Sequence, residues 1–113
     1  MPDPQRADPQ THDPMQLDPS RLELAREFKQ QPFGRHSPDL QYLLHRMRSY
    51  DSAGHWMLVM TQPHAQWTLA RMTAGGREVP RLTNVTFTSL AEAEWHVFKL
   101  RWKDLMGQDL PLE

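Results

Sequence analysis

Apolar and polar positions alternate with two different periods along this chain, and the change of period divides it. Leu40, Leu43, Leu44, Met47 and Tyr50 fall at i, i+3, i+4, i+7 and i+10, which predicts an amphipathic helix. Ser37 is placed as its cap, Pro38 as its first position and Asp39 as an acidic residue in its first turn. Upstream, Leu22, Ala25 and Phe28 form a narrower stripe ending near Gln30, with Asp18 as expected N-cap, Pro19 as first helical residue and Leu17 with Leu22 as a staple. Pro32 stops that helix, and Phe33-Gly34 connects it to the next.

Beyond Asp51-Ser52-Ala53-Gly54 the period shortens to two. His55 to Thr61 reads as a strand, Gln62-Pro63-His64-Ala65 as a turn, and Gln66 to Met72 as the returning strand. Closing the hairpin between Thr61 and Gln66 pairs Met60 with Trp67, Leu58 with Leu69 and Trp56 with Arg71, so that Arg71 can stack on Trp56. Met57, Val59, Ala70 and Met72 fall on the other face, which makes both faces partly apolar, unlike most sheets with one wet face. Ala74-Gly75-Gly76-Arg77 reads as a turn and Leu82 to Phe87 as a third strand, with Pro80 kept out of the ladder. Ser89-Leu90-Ala91-Glu92 is a capping box opening a helix to about Met106, closed by Gly107. Its expected apolar stripe is Ala91, Trp95, Phe98, Trp102 and Leu105, widened by Leu90, Val97 and Met106. The expected fold is α+β: two N-terminal helices, a three-stranded antiparallel sheet and a long C-terminal helix.

The N-terminal stretch obeys neither period. Asp3-Pro4, Asp8-Pro9, Asp13-Pro14 and Asp18-Pro19 recur every five residues, and each proline removes an amide donor. Residues 1–18 are therefore expected to form a flexible tail and residues 19–113 a single domain. Four aspartates against Arg6 give that tail a net charge of −3, whereas residues 20–50 carry +3 and residues 55–113 carry zero.

With 113 residues, one small domain is the natural reading, and it buries only about 60–65% of its unfolded surface. A net charge of −1 weighs against bulk capture of nucleic acid or an anionic membrane. No apolar run approaches the ~18–20 residues of a membrane span, no signal-peptide pattern opens the chain, and cysteine is absent, so a cytoplasmic setting is expected.

Candidate chemistry is sparse. The six histidines show no HExxH and no 2-His-carboxylate spacing, and His55 and His64 on one hairpin stand roughly 20 Å apart at ~3.3 Å per residue. No serine lies in a GxSxG elbow or an SxxK pair, and Gly75-Gly76 lacks a phosphate-loop lysine. Glu92 and Glu94, two apart on a helix, point to different faces. Neither catalytic, cofactor-binding nor metal-binding residues are expected in this chain. Four tryptophans and seven methionines point instead to protein contact, as these types are enriched at interface centres. An alternative is a DNA-binding module: three strands and a helix with Arg71, Arg77 and Arg81 on or near the sheet resemble the N-terminal arms of phage-type integrases, although a DNA reader normally has a basic surface.

Pro32-Phe33-Gly34-Arg35-His36-Ser37-Pro38, followed by Leu40, Leu43 and Arg46-Met47-Arg48, resembles the small (alpha) subunit of N,N-dimethylformamidase. Gly54 before the first strand, Trp67, Phe87, Ala91-Glu92-Ala93, Val97-Phe98 and Leu100-Arg101 continue the similarity over about Pro32 to Asp104. The resemblance implies a non-catalytic subunit of a hetero-oligomeric amidohydrolase. The formamide C–N bond would be hydrolysed in a large partner subunit, at a mononuclear iron held by tyrosine and carboxylate ligands. Expected partner contacts are Phe33, Arg35, His36, Arg46, Arg48, Trp56, Met57, Trp67, Met72, Trp95 and Trp102.

Overall fold

The computed structural model describes residues 17–48, 55–72 and 79–113. Their order is α1 (Leu22–Gln30), α2 (Pro38–Arg48), β1 (Trp56–Gln62), β2 (Gln66–Arg71), β3 (Arg81–Phe87) and α3 (Leu90–Met106). This is the expected architecture of two helices, a three-stranded antiparallel sheet ordered β1-β2-β3, and a long final helix. The Asp-Pro repeats of residues 1–16, the break at residues 51–54, Tyr50 and the turn at Ala74 to Arg77 lie outside the described residues.

The start of α1 differs from expectation. Asp18 does not cap the helix. Its carboxylate accepts from the Ser20 amide (2.8 Å) and the Ser20 hydroxyl, closing a local turn that Arg21 N–H to Asp18 O completes. The helix starts only at Leu22, with Arg21 at the cap position and no side-chain cap. Ser20 thus captures the oxygen that would otherwise cap the helix. Leu17 and Leu22 still pack against the core, although not as a staple around an Asp18 cap.

At α2 the reading from sequence holds. The Ser37 hydroxyl accepts from Leu40 N–H (3.3 Å), and Leu40, Leu43, Leu44 and Met47 are buried. α3 opens with Glu92 N–H to the Ser89 hydroxyl (3.2 Å) and closes at Gly107, whose φ of 81° lets its N–H reach Lys103 O. Its buried residues are Ala93, Val97, Phe98 and Trp102, while Ala91, expected in the stripe, is exposed. α3 serves two layers. Phe98 and Trp102 belong to the cluster formed by α1, α2 and Leu110, while other α3 positions, such as His96 against Phe87, contact the strands. Phe98 stacks between Phe28 (4.5 Å) and Trp95 (5.5 Å). Trp102 is wholly buried, and its indole N–H finds no partner among the described residues. A buried unpaired donor costs about 1–3 kcal/mol, which the packing of the largest side chain in the core must offset.

The hairpin register is Trp56↔Arg71, Leu58↔Leu69 and Met60↔Trp67, as expected, with the Arg71 guanidinium carbon 4.2 Å from the Trp56 ring centroid. Only the closing pair is shifted. Gln62, not Thr61, faces Gln66, because a three-residue turn with His64 in the left-handed region (φ 56°) leaves Thr61 as a bulge. A second irregularity sets Thr68 opposite Thr86 but Ala70 opposite Leu82.

The two-sided apolar pattern has its explanation in the central strand. Leu69 on one face of β2 and Thr68 and Ala70 on the other are all buried. α2 packs on α1 and α3 rather than forming a second cover for the sheet.

Candidate partner-docking surface

Two regions outside the core concentrate polar organisation. The first is the connection from Gln31 to Ser37. The Glu27 carboxylate receives both the Ser37 amide and the Ser37 hydroxyl, each at 2.7 Å, so α1 holds the cap of α2. His36 Nε2 lies 2.8 Å from Gln31 O, its ring 5.9 Å from Phe28, and Gln41 Nε2 donates to His36 O. Gly34 (φ 96°) makes the reversal that leaves Phe33 half exposed at the tip. Arg21 fastens the same side, donating to Asp39 and Glu23 at 2.7 Å each. The Asp39 bond first, and then Glu23, raise the guanidinium above its ordinary range, and in return Arg21 lowers the Glu23 carboxyl.

The second region is a cleft of about 250 Å³ lined by Arg48 at the end of α2, Met57 and Leu58 of β1, and Glu94, Val97 and Arg101 of α3. Arg101 donates through Nε and Nη2 to Trp56 O (3.3 and 3.0 Å), which ties α3 to the β1 edge and fixes the guanidinium. Its lining combines three apolar and three charged side chains, and the surface it exposes is mainly polar.

Of the eleven expected contact residues, this cleft unites Arg48 and Met57, with Trp56 joined through its carbonyl. Phe33, Arg35 and His36 sit together on the interhelical connection, with Phe33 and Arg35 exposed. Arg46 is half-buried with its guanidinium 6.0 Å from the Tyr42 ring. Trp67 on β2 and Met72 just beyond its end are half-buried. Trp95 is half-buried between Phe98 and the ammonium groups of Lys29 (5.5 Å) and Lys99 (5.7 Å). Trp102 presents no surface at all, since α1, α2 and Leu110 enclose it. Glu94 and Arg101 were not expected at a contact site. Their signal lay in the sequence: Glu94, Val97 and Arg101 follow at i, i+3 and i+7, which places them along one helix face.

Large apolar side chains with substantial exposure are Phe33 (49%), Met60 (49%), Val79 (84%) and Leu82 (51%). Met60 and Leu82 occupy opposite edge strands and, by register with Trp67 and Ala70, opposite faces. They do not merge into one patch. Among the described residues no group of three or more His, Cys, Asp or Glu converges as a metal site. No helix among them is long and apolar enough to cross a membrane.

Comparison with known protein families supplies what this geometry leaves open. The model of the N,N-dimethylformamidase alpha subunit matches residues 16–110. The chain belongs to that family. No curated protein matches it. In this dimethylformamidase alpha-subunit family member the matched span covers all six described elements, including α1, and leaves out the Asp-Pro repeats that precede Met15.

Proposed function

We propose that this chain is the non-catalytic small subunit of an N,N-dimethylformamidase-like amidohydrolase, docking on and stabilising a large catalytic chain. The observation that carries the reading is the family match across residues 16–110. In that reading the mononuclear iron of formamide hydrolysis belongs on the large chain, with its tyrosine and carboxylate ligands. On this reading the chain's contribution is geometric: its α+β domain is held against the catalytic chain. Exposed Phe33 and the charged cleft at Arg48 supply apolar and polar contacts respectively.

Co-expression with the large-subunit gene tests this. The expected result is co-elution of the two chains, with N,N-dimethylformamide hydrolysis lost when the large chain is omitted. Turnover by the small chain alone, or its failure to co-elute with any dimethylformamidase large subunit, overturns the proposal.

A further inference from the structure

We infer that the outer edge of β3 is a self-association site, on which β3 of a second copy of this chain adds antiparallel with Asn84 of each copy at the two-fold axis. Backbone direction comes first. Met72 N–H donates to His55 O (2.9 Å), so by alternation Thr68 and Ala70 turn their main-chain groups toward β1. The Thr83 hydroxyl donates to Leu69 O (2.8 Å), so the odd-numbered positions of β2 address β3. Arg81 and Phe87, opposite Arg71 and Trp67, therefore pair inward. Leu82 and Thr86, opposite Ala70 and Thr68, present N–H and C=O outward. Among the described residues no strand lies beyond β3. The β1 edge differs, because Arg101 of α3 donates to Trp56 O there. The irregularity in the middle of β3 is satisfied within the sheet, since the Thr83 hydroxyl that donates to Leu69 O also accepts from Val85 N–H (3.1 Å).

A second copy fits this edge because the strand is complementary to itself. Edge strands that stay single are commonly guarded by lysine, proline or an inward charge. From Leu82 to Phe87 β3 carries none of these, and Leu82, Asn84 and Thr86 are exposed. A two-fold register through Asn84 sets Leu82 opposite Thr86 of the other copy and Thr86 opposite its Leu82, which joins the outward-facing main-chain groups in pairs. Pro80, without an N–H, bounds the ladder just ahead of Arg81. The charges agree with this register. Each Arg81 lies opposite Phe87 of the other copy, and the two arginines stay about 20 Å apart at ~3.4 Å per residue. Arg81 forms no ion pair among the described residues. Past Phe87 the chain turns into α3, where exposed Glu92 is the first carboxylate after the strand. Each end of the pairing thus brings the guanidinium of one copy to the acidic end of the other.

Sedimentation equilibrium of the full chain over a concentration series tests this, with Asn84→Lys, Asn84→Asp and Thr86→Pro as variants. Wild type should show a reversible monomer–dimer equilibrium. At the axis each Asn84 substitution sets two like charges opposite one another, so each variant alone should dimerise about three- to fivefold more weakly. An equimolar mixture of the two should regain at least the wild-type affinity at low salt. A contact of residue 84 with itself is what produces that rescue. Thr86→Pro deletes an outward N–H and no bond to β2, so dimerisation should be lost while the thermal melt shows the fold kept. If that variant unfolds, the Asn84 pair carries the test. A wild-type chain that is monomeric at every concentration, or a mixture no tighter than either variant alone, overturns the inference. So does a Thr86→Pro chain that still self-associates but no longer co-elutes with the large chain, which would give the edge to a strand of the large chain. The first two outcomes leave the subunit reading standing, and failure of the wild-type small and large chains to co-elute sinks that reading without touching this one.

Discussion

Replacing Glu27 with alanine should separate the first two helices energetically without touching the aromatic core. Both carboxylate oxygens are used, one on the Ser37 amide and one on its hydroxyl, at 2.7 Å each and in a part-buried setting. Hydrogen bonds to a charged group are worth about 1.5–3 kcal/mol each when lost in a shielded place, and partial solvent access reduces this to about 2–3 kcal/mol for the pair. For a domain of this size that is a fall in Tm of about 10–20 °C. Ser37→Ala removes the cap of α2 and one Glu27 bond together, for about 1–2 kcal/mol. The informative quantity is the double variant. Because the two residues form one network, the combined loss should fall short of the sum by about 1 kcal/mol. Thermal and urea unfolding of the full chain by circular dichroism at pH 7, with all four members of the cycle, measures it. A Tm for Glu27→Ala within ~2 °C of wild type, or strict additivity, would refute the claim that α1 holds the cap of α2.

Two further outcomes follow from α3. Burial first and the Lys99 charge second lower the His96 imidazole below its ordinary value of 6.5, so the folded state favours the neutral ring that lies against Phe87. The unfolded chain then binds the proton more readily, so stability is complete above pH 6.5 and declines as pH falls below it. His96→Gln should flatten that part of a Tm-against-pH curve, and an unchanged slope would remove His96 as the cause. Gly107 sits at φ 81° with no atom within 4 Å of where a Cβ would stand, so Gly107→Ala tests conformation free of any clash. It should cost about 1 kcal/mol by thermal melt, and Gly107→Asn clearly less.

How far the sequence discloses this molecule depends on the range of the interaction. Ser37, Ser89 and Gly107 act within one helical turn, and the structure places each where its residue type puts it. The cross-strand pairs of the hairpin are nearly as local, and only the closing pair slipped, because sequence alone does not reveal that His64 accepts a left-handed backbone. Asp18 failed for a local reason as well. Two neighbours competed for one oxygen, and Ser20 is closer than the helix. The site is less legible because it is assembled from afar. Arg48, Met57 and Glu94 meet only once α2 and β1 have both found α3, and periodicity carries no information about that meeting. Trp102 shows the opposite error. A side chain type common at interfaces is equally suited to a core, and the flanking Phe98 at i−4 put it there.

The same distribution changes what a docking account must explain. A surplus of indole and thioether groups would by itself call for a partner only if those groups were outside, yet Trp102 and Met47 are inside, and Trp95 is clasped by Phe98 and two lysines. Among the described residues, the large apolar side chains that remain exposed are divided between the Phe33 tip, the sheet edges at Met60 and Leu82, and Val79 just ahead of β3. Scattered apolar contacts of this kind add area but little orientation, since each tolerates sliding along its neighbour. Under the proposed subunit role, register between the two chains would then have to come from directional polar groups rather than from these apolar side chains. A small subunit built in this way would bind through a few polar anchors on a stable wedge, and its association would weaken with salt more than an apolar interface does.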